Sequence, residues 1–186
     1  LLVFIAAHLV PALPGIRPRL VAWMGRGPYL LAYSLVSLAL FAWVVHAALE
    51  APTVVLWDPA PWQAVVPLFA TPVAAVLLAA GLLSPNPLSV TLRRGDTPGA
   101  IASVTRHPVP WAFVLWAAAH IPPNGTVTAL LFFGSMALFS VAGFALLDRK
   151  ARRALGEARW RTLAADAPVV PFAGSGRGNP RWSALL

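Results

Sequence analysis

Three apolar runs of about twenty residues, Tyr29 to Leu49, Trp62 to Leu83 and Thr126 to Leu147, leave this chain few ways to fold. Each matches the length a helix needs to cross a hydrocarbon core about 30 Å thick. Inside a bilayer every backbone polar group has to be satisfied within the protein, so only helices and closed barrels span it. The alternation of apolar and polar residues that a barrel strand requires is absent. Composition agrees: 59% of the residues are hydrophobic and 11% charged, against roughly 45–50% and 25% in soluble domains.

Two shorter apolar runs complete the pattern. Leu1 to Leu13 is interrupted only by His8 and closed by Pro11 and Pro14; as a helix it would rise roughly 20 Å. Pro108 to Ile121 is the other, followed by a tight turn at Pro122-Pro123-Asn124-Gly125. Basic residues fall in the connection 13–28, which Gly27-Pro28 punctuates, in 84–106, and after Asp148. Connections 50–61 and 122–125 carry no Lys or Arg. Basic loops stay cytoplasmic, so the sequence predicts an all-α polytopic bundle of five spans over residues 1–147. The remainder, 148–186, is expected on the cytoplasmic side, with an amphipathic interfacial helix from Asp148 to Asp166. In Trp57-Asp58-Pro59-Ala60-Pro61-Trp62 the tryptophans read as an interfacial belt and Asp58 as the cap of the next helix. The chain opens at Leu1 without methionine and ends abruptly after Trp182 to Leu186, so residues are expected to be missing at the termini.

The net charge of +8 reflects those loops; no basic soluble face with aromatic platforms is present, which excludes a nucleic-acid partner. With no cysteine, thiolate ligands, iron–sulfur clusters and covalent c-type haem are excluded. Walker, dinucleotide and His-Glu-x-x-His motifs are absent. Ser/His/Asp sets can be drawn, but none has a local signature.

The four histidines therefore carry the chemistry. Ionisable groups at membrane depth are rare and mark function. His120 closes the fourth run after Trp116-Ala117-Ala118-Ala119, whose small residues admit a flat ring or a neighbouring helix. Its ordinary alternative is an imidazole bonded to a nearby carbonyl. His107 precedes it by thirteen residues, roughly 20 Å and 220° along a helix, so the two cannot share one metal. Arg106-His107-Pro108 belongs at the cytoplasmic rim, as an anion or cofactor contact or as a terminus-capping pair. His8 and His46 are equally placed by depth to partner His120; His46 can also be an interfacial residue beside Glu50.

Several motifs recur in a known family: His8-Leu9-Val10-Pro11-Ala12-Leu13-Pro14-Gly15, Val54-Val55-Leu56-Trp57-Asp58-Pro59, Arg106-His107-Pro108, Trp116 with Ala119-His120, and Asn124-Gly125. With Asp148-Arg149, Leu155-Gly156-Glu157 and Val169-Val170-Pro171-Phe172 they cover most of the chain. They resemble the NnrU family, named for its association with bacterial nitrite and nitric oxide reduction genes. The pattern is also similar to that of 15-cis-zeta-carotene isomerase, a haem b membrane protein of plants and cyanobacteria. The resemblance implies haem b with axial ligands at His8 and His120, His46 being the alternative partner, and Arg106 and His107 as further cofactor contacts. It also implies a bacterial inner membrane, a hydrophobic polyene or isoprenoid substrate, and a possible membrane protein partner. Ala117 stands where the isomerase has the cysteine linked to its redox-dependent ligand switch, so that switch is not implied. The family usually has one more hydrophobic helix after the Pro-Phe stretch, a sixth span expected to be missing here. A weaker resemblance, on Arg106-His107-Pro108, is to isoprenylcysteine methyltransferases that use S-adenosylmethionine. It departs at Val109-Pro110-Trp111-Ala112, and Asp148-Arg149 replaces the methyltransferases' acidic pair.

Overall fold

A computed structural model describes residues 1–10 and 15–173; Pro11 to Pro14 and the stretch Trp182 to Leu186 lie outside the described residues. All regular elements among the described residues are α-helices, with one isolated antiparallel bridge between Val55 and Thr126. The chain divides into two compact units, Leu1–Val54 and Val55 onward.

In the first unit, α1 (Leu2–Leu9) packs on α3 (Arg26–Leu49) through Phe4 and Phe41, whose rings lie 6.0 Å apart. Between them the basic connection is not a plain loop, because Ile16–Met24 forms α2. The break before α3 comes at Gly25 (φ 85°), a conformation that only glycine adopts at little cost. It does not come at Gly27-Pro28. Both of those sit in the first turn of α3, where a proline's missing N–H would have no partner in any case.

In the second unit, α6 (Pro108–His120) lies between α4 (Pro61–Leu83) and α7 (Val127–Leu155). Pro108, Val109, Ala112, Ala117 and Ala119 are buried. The approach to α4 is close: a Cβ at Gly81 would come within 2.8 Å of the Pro108 and Val109 side chains.

Both ends of α6 are pinned. Pro122 and Pro123 have no N–H with which to continue the helix, and the Asn124 amide donates to the His120 carbonyl at 2.8 Å. Trp57 then crosses to this turn, donating from Nε1 to the Pro122 carbonyl at 2.8 Å, while the Leu56 N–H donates to Gly125 at 2.7 Å. Trp57 is thus a clamp and not simply a membrane-belt residue. Trp62 remains 63% exposed. The expected Asp58 cap is replaced by Gln63, whose Oε1 accepts from the Ala60 N–H at 2.7 Å, because the N-cap position of α4 is Ala60, two residues after Asp58. The two connections without basic residues therefore meet at one end of the unit. At the other end the basic connection after α4 meets the end of α7.

Three helices, α3, α4 and α7, are long and apolar enough to cross a membrane. The eight residues of α1 and thirteen of α6 rise only about 12 and 20 Å. Leu35, Leu68, Phe69, Val76 and Leu138 stand exposed on the long helices, an apolar surface that suits lipid and not water. The single amphipathic helix expected over 148–166 is two helices. Its first half continues α7 to Leu155; Gly156 (φ 79°) then turns the chain into α8 (Glu157–Ala164). Trp160 faces inward, packed with Leu88, Ala102, Ala151 and Ala167.

The clamp makes a direct prediction. A Cβ at Gly125 would overlap the Trp57 carbonyl oxygen, whereas one at Gly134 on α7 meets nothing within 4 Å. Thermal unfolding in detergent should show Gly125→Ala destabilised by about 1–3 kcal/mol, as for other overpacked sites. Gly134→Ala should be neutral, or stabilised by up to about 1 kcal/mol through helix propensity.

Candidate functional site

The two sites expected on α6 lie at opposite ends of the helix and differ in chemistry. At its start, the His107 side chain is fully buried and both ring nitrogens are engaged. Nε2 lies 3.1 Å from Asp148 Oδ1 and Nδ1 lies 3.1 Å from Ser89 Oγ. Phe144 stacks on the ring at 5.7 Å. One proton arrangement satisfies the set: neutral His107 donates from Nε2 to the carboxylate and accepts at Nδ1 from the serine hydroxyl. Burial holds the His107 pKa below its ordinary 6.5, aided by the Arg106 cation and opposed by the charge and hydrogen bond of Asp148.

Backbone accounting explains why the histidine sits there. Arg106 N–H donates to the Pro168 carbonyl at 2.8 Å, and Thr105 Oγ1 and Trp111 Nε1 both donate to the Val169 carbonyl. The buried Asn86 side chain donates to the Arg106 carbonyl and accepts from the Leu88 N–H. The Val169-Val170-Pro171-Phe172 motif is therefore a strap across the start of α6. Arg106 also reaches Asp148, with Nε 3.5 Å from Oδ1.

Ser89 and Asn86 carry no sequence signal that marks them as partners of Arg106-His107. Asp148 does carry one, as the first charge after a long apolar run. The Ser89–His107–Asp148 order invites comparison with a nucleophilic relay. Here, however, the ring is sealed between Phe144 and its two partners, and it works as a lock between the start of α6 and the end of α7.

At the other end of α6, His120 Nδ1 lies 2.6 Å from the Trp116 carbonyl oxygen. A carbonyl can only accept, so Nδ1 carries the proton and the neutral ring's lone pair is on Nε2. Trp116 (4.9 Å, tilted) and Phe133 (5.2 Å, stacked) hold the ring. In the first unit, His8 makes the equivalent bond, from Nδ1 to the Phe4 carbonyl at 2.7 Å, with Tyr33 edge-on at 5.8 Å. His46 lies in the last turn of α3 and is exposed. Among the described residues no three His, Asp or Glu side chains gather as a metal-ion cluster.

The family model described as NnrU protein matches residues 1–185, all but the last position. The chain belongs to the NnrU family. No curated protein and no solved structure gives a significant match. As an NnrU-family chain it keeps Arg106, His107 and the Val169–Phe172 motif as one assembly, with His120 about 20 Å away along α6. Nothing in the geometry or the family match supports the methyltransferase reading, since His107 spends both nitrogens inside the protein.

Because the folded-state pKa of His107 lies below its unfolded value, its contribution to stability is complete above about pH 6.5 and is lost as pH falls through that value toward the folded pKa. Unfolding midpoints measured from pH 8 to pH 5 should fall below pH 6.5 in the native protein and fall less steeply in His107→Gln. Ser89→Ala removes the donor to Nδ1 and should cost about 1–3 kcal/mol at pH 8, read from the same melts.

Proposed function

We propose that this NnrU-family protein is a haem b protein of the bacterial inner membrane, with His120 and His8 as the axial ligands. The observation that carries the proposal is the 2.6 Å contact of His120 Nδ1 with the Trp116 carbonyl. An ordinary helical histidine makes the same bond to the carbonyl four residues back. It is also the bond by which metal-ligating histidines fix their orientation and present the other nitrogen. The aromatic walls of Trp116 and Phe133 suit a flat apolar macrocycle, and His8 has the same Nδ1 bond. As residue types, both donors suit haem iron. Two neutral imidazoles are good iron ligands, and bound haem b would supply a redox-active iron whose potential those ligands set.

Five membrane crossings remain our topology. Three helices meet the length requirement on their own. In the second unit α6 runs between the end where the non-basic connections meet and the end where the basic ones meet. Basic loops assign that latter end to the cytoplasm. Saturated bis-imidazole ligation favours electron transfer or redox gating; chemistry at the iron would require one ligand to leave. The resemblance to zeta-carotene isomerase makes a polyene the substrate class and cis–trans isomerisation the reaction. The association of the family name with denitrification points to membrane reductases as partners.

Absorption spectra of detergent-purified protein from haem-replete cells test the reading. A Soret band with sharp reduced α and β bands is expected; its absence refutes haem binding. His120→Ala and His8→Ala should each abolish the bis-imidazole signature in low-temperature electron paramagnetic resonance, and His46→Ala should leave it intact. The reverse pattern would transfer the second ligand to His46.

A further inference from the structure

We propose that Arg106, Arg152 and the indole N–H of Trp160 form a phosphate-binding site where the start of α6, the end of α7 and α8 converge. The site is independent of any haem. Two side-chain nitrogens among the described residues are buried without a hydrogen-bond acceptor, Arg106 Nε and Trp160 Nε1. They occupy the same neighbourhood, since the Arg106 guanidinium lies 5.3 Å from the centroid of the Trp160 ring. A second guanidinium, that of Arg152, lies 3.8 Å from the same ring. Trp160 itself is 92% buried, its ring fixed by Leu88, Ala102, Ala151 and Ala167.

Such a cluster has donors in excess of its acceptors. Guanidinium and indole groups cannot accept a hydrogen bond. Asp148 Oδ1 is shared between His107 Nε2 and the Arg106 contact, and the latter lacks hydrogen-bond geometry. The other basic side chains of α8 are occupied elsewhere: Arg159 with Asp96 and Arg161 with Glu157. A buried donor without an acceptor is costly, so two of them together mark a place built for an acceptor from outside.

The chemistry of that acceptor follows from the donors. Two cations beside one indole require an anion, and Arg149, Lys150 and Arg153 on the same segment add to the positive field. Donors arriving from three directions are matched better by the several oxygens of a tetrahedral anion than by the two coplanar oxygens of a carboxylate. Phosphate is such an anion, and arginine pairs with phosphate in a bidentate fork. The Trp160 ring holds both guanidinium groups by cation–π attraction and so keeps the fork in place before the ligand arrives. Arg152 is exposed at the mouth, where either free phosphate or a lipid headgroup phosphate can enter.

The test uses the full chain in a phosphate-free maltoside detergent, titrated separately with inorganic phosphate and with phosphatidylglycerol, and followed by native mass spectrometry and thermal shift. Saturable binding is expected. It should weaken about tenfold or more in Arg152→Gln and in Trp160→Phe, which keeps the ring but removes the N–H. Arg161→Gln, an exposed change of equal charge, should bind as the native protein does. The pattern for phosphatidylglycerol alone assigns the site to a lipid headgroup; the pattern for inorganic phosphate as well assigns it to the phosphate group itself. No saturable binding of either probe, or equal weakening in Arg161→Gln, overturns the proposal. Matching helical circular dichroism among the variants separates loss of the site from loss of the fold.

Discussion

The second unit depends on finding partners for the exposed backbone and side-chain groups at both ends of one short helix. With thirteen residues, α6 is shorter than a helix that crosses a membrane unaided, and each end of a helix leaves four backbone groups without partners inside it. At one end the Asn124 amide takes the His120 carbonyl, and Trp57 and Leu56 bind the Pro122–Gly125 turn. At the other, the Arg106 and His107 junction is held by Asn86, Ser89, Asp148 and the strap at Pro168–Val169. Neither arrangement is possible unless α4 and α7 lie alongside and return their connections to the correct end.

That constraint gives the charged cluster its form. Burying a lone imidazole, carboxylate or guanidinium would be expensive. His107 and Asp148 share the cost by bonding each other beside the Arg106 guanidinium, with Ser89 supplying the last proton donor to the ring. A neutral histidine between a hydroxyl and a carboxylate needs no net buried charge of its own. The remaining donors turn toward Trp160 and Arg152, where α8 meets the rest of the unit. His120, by contrast, lies between the rings of Trp116 and Phe133, where one backbone carbonyl fixes the imidazole and leaves Nε2 as the acceptor nitrogen.

Much of the architecture could be read from hydropathy and loop charge. The three long runs are the cores of the three long helices, because twenty apolar residues admit little else; their bounds shift by one to three residues, except that α7 runs eight residues past Leu147. The pairing of loops at each end of the second unit followed from the positions of Arg and Lys. The misjudged features were those governed by single backbone positions. Gly25 and Gly156, with positive φ, split segments whose composition looked continuous, so α2 appeared within a basic loop and the amphipathic segment broke in two. Asp58 looked like a helix cap on residue type, but Gln63, one turn into the helix, reaches the open N–H instead.

By itself the sequence determined the membrane class and the all-helical fold, since these depend on composition, local periodicity and the cost of burying polar groups. It also separated His107 from His120, because thirteen residues of helix keep them far apart. Only the tertiary structure decided what each histidine touches. Ser89 and Asp148 lie 18 and 41 residues from His107 in the chain, and Trp160 meets Arg106 across 54. No local pattern encodes contacts at such separations; they exist because α4, α6, α7 and α8 pack so that their polar groups reach one another at the same end.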